Sequence, residues 1–297
     1  MVQEIKGKSL DIQWSMSAPT HTWIDSPEYV AGFREHIAPL QGTPFYSNLE
    51  FSYTDTARFD FFIEPVLRYA SLTDKTVLDS GCGAGGLCIR LQLYYPRHVT
   101  AVELDPVQSR LAVQRLAALP NVTVVNSDAE QSGLPAASLD VVFSLHVIEH
   151  VPNANLYLDE IVRLLRPGGL LLLACPHRLW PLEAHTGLPL IHYLPRGPAK
   201  LLAHWLSRRK SISPNLAQRL ETSTLYQHDF TYFRVHRMLK HAGLEILELN
   251  HPRFLLNGLE RRGWRRTARL TASLPARPQT YLTGLPLKNI MAVCRKP

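Results

Sequence analysis

A run of loops along this chain carries residue types suited to holding a nucleoside and moving a small group. The first reads Asp79-Ser80-Gly81-Cys82-Gly83-Ala84-Gly85-Gly86. Alternating glycines remove the Cβ atoms that keep a ligand off bare backbone. Two templates fit. Gly81, Gly83 and Gly86 match the G-x-G-x-x-G spacing of pyrophosphate-binding turns. Asp79, Gly81, Gly83 and Gly85 match D-x-G-x-G-x-G, with an acid in front. A pyrophosphate wants N–H donors and no neighbouring carboxylate. Opposite charges ~4 Å apart attract by about 1 kcal/mol in water and by more in a cleft. Asp79 therefore favours a ligand that carries positive charge. Cys82 lies in the same loop and reads as a small space-filler against the ligand rather than a reactive thiol.

A nucleoside with cationic centres of this kind is S-adenosylmethionine (SAM), which carries an α-amino group and a sulfonium. Glu103 follows Gly81 by 22 residues and can accept both ribose hydroxyls in a bidentate grip, with Leu104 beside it. Asp105 competes for that role but lies past the expected strand end. In Asn126-Ser127-Asp128-Ala129-Glu130, Asp128 can accept from an adenine amino group while the Ala129 N–H donates to the ring. The alternative for Asp128 is to cap a turn. Ser144, Leu145 and His146 then come at the end of another apolar run. Displacement at a sulfonium needs alignment and exclusion of water. A base is needed only if the acceptor must lose a proton. Histidine changes charge near neutral pH, which makes His146 the first candidate base and His177 the second.

These loops need a framework of alternating strands and helices, and the sequence has that rhythm from residue 76. Strands are expected at 76–79, 99–103, 122–126, 139–144 and 170–175. Helices are expected from the glycine cluster to about Tyr95, at 106–119 behind a leading proline, and before Pro167-Gly168-Gly169. This alternation predicts an α/β, doubly wound, mostly parallel sheet, with ligands beyond the carboxyl ends of the strands. The rhythm breaks after 176 and returns as a helix at 231–243, a strand at 244–250 and a last strand at 289–296. The domain reading is an irregular lead-in or cap over 1–48 and a SAM-binding core over 49–176. An inserted lid over 177–228 follows, and residues 229–297 complete the sheet around a basic helical insertion at 251–288.

The order VLDSGCGAGG, AVELD, NSDAE, LDVVFSLHVIEHV and LRPGGLLLLACP resembles the class I SAM-dependent methyltransferases, in particular the broad subgroup acting on small molecules and lipids. The resemblance covers roughly residues 76–176, with a weaker tail at 228–250 and 289–296. It implies a seven-stranded, Rossmann-like sheet whose last strand runs antiparallel. It also implies SAM contacts at Asp79, Gly81, Gly83, Glu103, Asp128 and Ala129, with Ser144, Leu145 and His146 flanking the transferred methyl. Nucleic-acid base methylation is disfavoured, because Ser144-Leu145-His146-Val147 stands where N-P-P-Y or D-P-P-Y would be. His146, Glu149 and His150 spell H-x-x-E-H, a reversed zinc-protease order. They also lie close to the metal-binding E-x-x-E-H of ubiquinone-pathway methyltransferases, with His146 in place of the first acid. The expectation here is that no metal is held.

Composition narrows the remaining choices. With 45% hydrophobic and 19% charged residues the chain is globular in balance, and no apolar run reaches the ~20 residues of a spanning helix. The opening MVQEIKGKSLDIQW has no apolar signal core, and the four scattered cysteines suggest reduced thiols, so a cytoplasmic protein is expected. Residues 1–178 carry a net charge of −6 and residues 179–297 carry +13. The basic half includes a cluster at Arg261, Arg262, Arg265, Arg266 and Arg269, and the run Leu201, Leu202, Trp205, Leu206 beside Arg208. Such a surface suits an anionic membrane or a phosphorylated acceptor. The expected activity is methyl transfer to a small or lipid-linked acceptor, O-methylation favoured. The alternatives are an RNA methyltransferase using the basic surface, a non-catalytic partner-binding subunit, and an NAD(P) oxidoreductase.

Overall fold

Strands that are apolar at successive positions need cover on both faces. That requirement organises the computed structural model, which describes residues 24–38, 55–182, 188–208, 229–250 and 288–297. The strands are β1 (Thr76–Ser80), β2 (His98–Val102), β3 (Val122–Val125), β4 (Leu139–Leu145), β5 (Leu165–Pro176), β6 (Glu245–Leu249) and β7 (Asn289–Arg295). They form one seven-stranded sheet in the order β3-β2-β1-β4-β5-β7-β6. β1 to β5 pair in parallel, and β7 runs antiparallel to both β5 and β6. The helices are α1 (Pro27–Ile37), α2 (Asp60–Leu67), α3 (Gly86–Leu91), α4 (Pro106–Leu116), α5 (Ala154–Leu164), α6 (Arg196–Ser207) and α7 (Tyr232–His241).

The period of two sorts each strand between two cores. Val77, Val141, Phe143, Leu172 and Val293 bury on one face, with Ile63, Leu87 and Leu116 from the helices. Leu78, Val142, Leu171, Leu173 and Ala292 bury on the other, against Tyr157, Leu158 and Ile161 of α5 and Val235 and Leu239 of α7. Side-chain caps begin α4 and α5. Asp105 accepts from the N–H groups of Val107 and Gln108 at 2.9 and 2.8 Å, and Asn153 accepts from Asn155 at 3.0 Å. Each such cap stabilises its helix by about 1 kcal/mol. Gly243, at φ +77°, closes α7.

Several local expectations shift. The helix after the glycine loop is α only to Leu91 and tightens to a 3-10 turn over Gln92–Tyr94. Pro167-Gly168-Gly169 does not simply end α5: β5 already starts at Leu165. From Leu139↔Leu165 to Val141↔Leu170, β4 advances two residues and β5 five, so the proline and glycines bulge outward. There the Gly168 N–H donates to the Lys296 carbonyl at 2.7 Å. The lead-in expected to be irregular contains α1, announced by Ser26-Pro27-Glu28. Ser26 Oγ accepts from the Tyr29 N–H at 3.1 Å, with proline at the first helical position. The arginine cluster at 261–269 and the rest of the 251–287 insertion lie outside the described residues, as do 209–228.

Candidate active site

The chain runs from β1 outward to β2 and β3, then returns to place β4 on the other side of β1. At that switch point neighbouring loops diverge and leave a cleft. A cavity of about 720 Å³ occupies it, within the size range of small-molecule sites. One half is lined by the loops after β1, β2 and β3, including Asp79, Gly81, Cys82, Gly83, Glu103, Leu104, Asp128 and Ala129. The other half is lined by Leu145, His146, Val147 and His150 after β4, and by Arg58, Phe59 and Phe62 from the entry to α2.

The glycine loop takes its shape from positive φ at Gly81 (+74°), Gly83 (+55°) and Gly85 (+80°). A Cβ on Gly81 would stand 2.4 Å from Val147 Cγ2, so the loop after β1 and the loop after β4 can approach this closely only with glycine there. Asp79 is 2% exposed and its carboxyl is pushed up to about 7, chiefly by burial. The Cys88 thiol donates to it at 3.4 Å, and Glu103 nearby raises it further. Burial also lifts Glu103, against which the Asp105 and Gly83 N–H groups work by donating to its carboxylate at 2.9 and 2.8 Å. Asp105 itself is spent on capping α4. Asp128 accepts from the Glu130 N–H at 2.9 Å while lining the cavity, so it shapes its turn and faces the cleft together. The Cys82 thiol is pushed well up by burial, in line with a space-filling residue.

Three sequence candidates stand away from the cavity lining. Gly85 is the left-handed cap of α3, and a Cβ there would meet Leu116 Cδ1 at 2.7 Å. Ser144 is fully buried, its Oγ 2.9 Å from the Tyr157 hydroxyl, which lies equally close to Ser80 Oγ and so ties α5 to the tips of β1 and β4. His177 is 3% exposed, and its Nδ1 accepts from the Leu179 N–H at 2.9 Å, which fixes the turn after β5. Burial lowers its pKa.

His146 does face the cavity. Its backbone is left-handed, at φ +59°, a conformation that costs a non-glycine residue about 1–3 kcal/mol and clusters at functional sites. Its N–H donates to the Ala174 carbonyl at 2.8 Å, and its ring packs edge-on to Phe62 at 6.4 Å. Nδ1 lies 3.4 Å from Oε1 of Glu149, and Nε2 of His150 lies 4.0 Å from the same oxygen. Among the described residues no group of three or more His, Cys, Asp or Glu side chains is arranged to hold a metal ion. The clamp on the glycine loop was not anticipated. Arg115 of α4 donates to the Ala84 carbonyl at 3.2 Å and to the Tyr29 hydroxyl at 2.7 Å, and its guanidinium lies 4.4 Å from the Phe33 ring centre. Phe59 and Phe62 were legible only as helix-spaced apolar residues, with nothing in their pattern to mark the cavity.

The sheet order, the antiparallel β7 and the acid-fronted glycine loop at the switch point give an α/β, Rossmann-like arrangement of the kind found in methyltransferase folds. Residues 78–173 match the family model described as Methyltransferase domain. The chain is 30% identical over 158 residues to 2-methyl-6-phytyl-1,4-hydroquinone methyltransferase of Synechocystis, covering 52% of this chain and 48% of that protein. It is 29% identical over 107 residues to a ubiquinone biosynthesis O-methyltransferase of Bartonella tribocorum, covering 35% and 42%. It is 34% identical over 100 residues to a phthiotriol/phenolphthiotriol dimycocerosates methyltransferase of Mycobacterium leprae, covering 33% and 37%. The chain thus spans less than half the length of these curated relatives. The fold is shared with geranyl diphosphate C-methyltransferase of Streptomyces coelicolor, at a TM-score of 0.52 and 14% identity over 82% of this chain and 78% of that one. It is also shared with an S-adenosylmethionine-dependent methyltransferase of Mesorhizobium loti, at 0.50 and 16% over 86% and 99%.

Proposed function

We propose that the chain transfers a methyl group from SAM to a hydroxyl of a small or lipid-linked acceptor. The carrying observation is Asp79, a carboxyl buried at the tip of β1, facing the cavity with a single thiol donor. A buried carboxylate without a cationic partner is costly, and a ligand that brings positive charge relieves the cost. The residues present fit such a ligand. In this reading Asp79 holds the amino group, and the bare backbone of Gly81 and Gly83, with Cys82 between them, lies against the amino-acid portion. Glu103 grips the ribose hydroxyls beside Leu104, Asp128 and Ala129 meet the adenine, and Leu145 and His146 border the sulfonium. When bound, SAM supplies an electrophilic methyl group on a positively charged sulfur. The chain aligns the acceptor with it and keeps water out, while His146 accepts the proton of the acceptor hydroxyl.

The acceptor half of the cavity is framed by Phe59, Phe62, Leu145 and Val151, which suits an aromatic or prenylated molecule. The hydroquinone and ubiquinone chemistry in two relatives' names is of that kind. The insertions at 177–228 and 251–288 are part of this reading as a lid, since the first of them leaves the carboxyl end of β5. Within it Leu190, Tyr193, Leu194, Leu201, Leu202 and Trp205 are exposed. With the +13 charge of residues 179–297, this supports peripheral contact with an anionic membrane. Among the described residues no helix is long and apolar enough to cross a membrane. The four free, buried cysteines fit a reducing, cytoplasmic setting. Nucleic acid is not assigned as an acceptor.

The deciding experiment is calorimetric titration with SAM, followed by incubation of cell extracts with SAM labelled in its methyl group. Micromolar binding and a labelled small molecule or lipid support the proposal. No binding at millimolar SAM overturns it, and label in RNA replaces the acceptor class. Sedimentation with phosphatidylglycerol vesicles, absent with phosphatidylcholine, tests the membrane contact.

A further inference from the structure

Glu149 is 1% exposed, and neither carboxylate oxygen has a hydrogen-bond partner. A native chain rarely leaves such a group, because an unsatisfied buried carboxylate is costly. Nδ1 of His146 lies 3.4 Å from Oε1, on a residue held in left-handed backbone at the cavity wall. The turn from β4 brings the pair together: His146 and Glu149 are three residues apart, and the His150 N–H donating to the Val147 carbonyl at 2.8 Å closes the turn between them.

We propose that Glu149 is a positioning residue that makes His146 the base of the reaction. Glu149 accepts the Nδ1–H of His146, so the neutral ring is held in the tautomer whose Nε2 carries the lone pair. When the methyl group moves, the S–CH3 bond breaks with its electron pair remaining on sulfur, and the acceptor oxygen forms the new O–CH3 bond. The hydroxyl proton passes to His146 Nε2. The resulting imidazolium stands beside Glu149, and the proton leaves to water through the exposed side of the ring. Glu149 is thus retained for orientation and charge, although an apolar residue would pack there at less cost. His150, 4.0 Å from the same oxygen, is the second contender for the carboxylate, and the experiment separates the two.

The inference rests on the proposed methyl transfer to a hydroxyl, but its central readout needs no acceptor. Nitrogen-15 NMR of the uniformly labelled full chain at pH 8 reports which ring nitrogen of each neutral histidine carries the proton, with His146 assigned by comparison with His146→Asn. The Nδ1–H tautomer is expected for His146 in the unmodified chain, and loss of that preference in Glu149→Leu. A wild-type ring in the Nε2–H tautomer overturns the inference, with no need for the variant to fold. The Nδ1–H tautomer at His150 instead transfers the role to that residue and equally overturns it. Calorimetry with SAM on Glu149→Leu should match wild type within about threefold. With an acceptor in hand, kcat should fall at least tenfold while KM for SAM is steady. If wild type fails to bind SAM, the function proposal falls while the tautomer measurement still judges the dyad.

Discussion

The two halves of the cavity are built on opposite principles. In the nucleoside half, acids and glycines are integrated into backbone structure. Glu103 accepts from Gly83 and Asp105, Asp128 shapes its own turn, and the loop carbonyl of Ala84 is held by Arg115. Behind the wall of the other half, a buried carboxylate is left without a hydrogen bond. Glu149 makes no hydrogen bond, and His146 sits in strained backbone. Recognition of an invariant ligand rewards rigid, satisfied donors and acceptors. Chemistry on a proton rewards groups whose best partner appears only during the reaction. Asp79 stands between these cases: it belongs to the nucleoside half yet is buried with one weak thiol donor.

The comparison breaks most sharply if the halves do not separate under mutation. His146→Ala should slow methyl transfer about 10²–10⁴-fold, the usual worth of a positioned base. Its SAM affinity by calorimetry should stay within about threefold, and an equal loss in both would merge the halves. Asp79→Asn should do the reverse and weaken SAM about 100-fold, as expected for a lost charge-assisted contact. The same change should stabilise the ligand-free fold. Asp79 is held near pH 7 against an ordinary 3.8, so the unfolded chain ionises first. Stability from this group is full below about pH 4 and drains away as pH rises to about 7. Chemical denaturation at pH 8 should therefore find Asp79→Asn more stable than wild type by on the order of 2–4 kcal/mol.

The pH dependence of binding sharpens the same point. Only ionised Asp79 attracts the cationic ligand, so wild-type SAM affinity should fall about tenfold per pH unit below pH 7. The slope should flatten in Asp79→Asn. Smallest of all, Gly85→Ala should lower unfolding stability by about 1–2 kcal/mol, because of its φ of +80° and the Leu116 contact. Its direct effect on SAM should be less than that of Gly81→Ala, whose Cβ would collide inside the cavity lining.

Much of the framework was legible because it rests on local rules. Period-two apolar runs marked the strands, and Asp105-Pro106 marked a helix start. The acid in front of the glycine loop pointed to a ligand that carries positive charge. Where reading failed, a distant partner had decided. Pro167-Gly168-Gly169 looked like a stop, but pairing with β4 and the chain end carries β5 through it as a bulge. Gly85 and Ser144 have the right spacing for ligand contact, yet Leu116 and Tyr157 claim them. His177 follows a strand as His146 does, yet it folds back on Leu179. α1 had a clear start signal at Ser26-Pro27, and its role over the glycine loop depended on Arg115, 86 residues from Tyr29.

By itself the chain of residues determined the strand and helix rhythm, the sheet class and the sign of charge at the first loop, since these follow from periodicity and the chemistry of neighbouring side chains. Only the tertiary structure decided which of two similar histidines meets the cavity, which carboxylate is buried with its oxygens unmet, and how high Asp79 is held. Burial and cross-strand partners set those properties, and both are sums over residues far apart in the sequence.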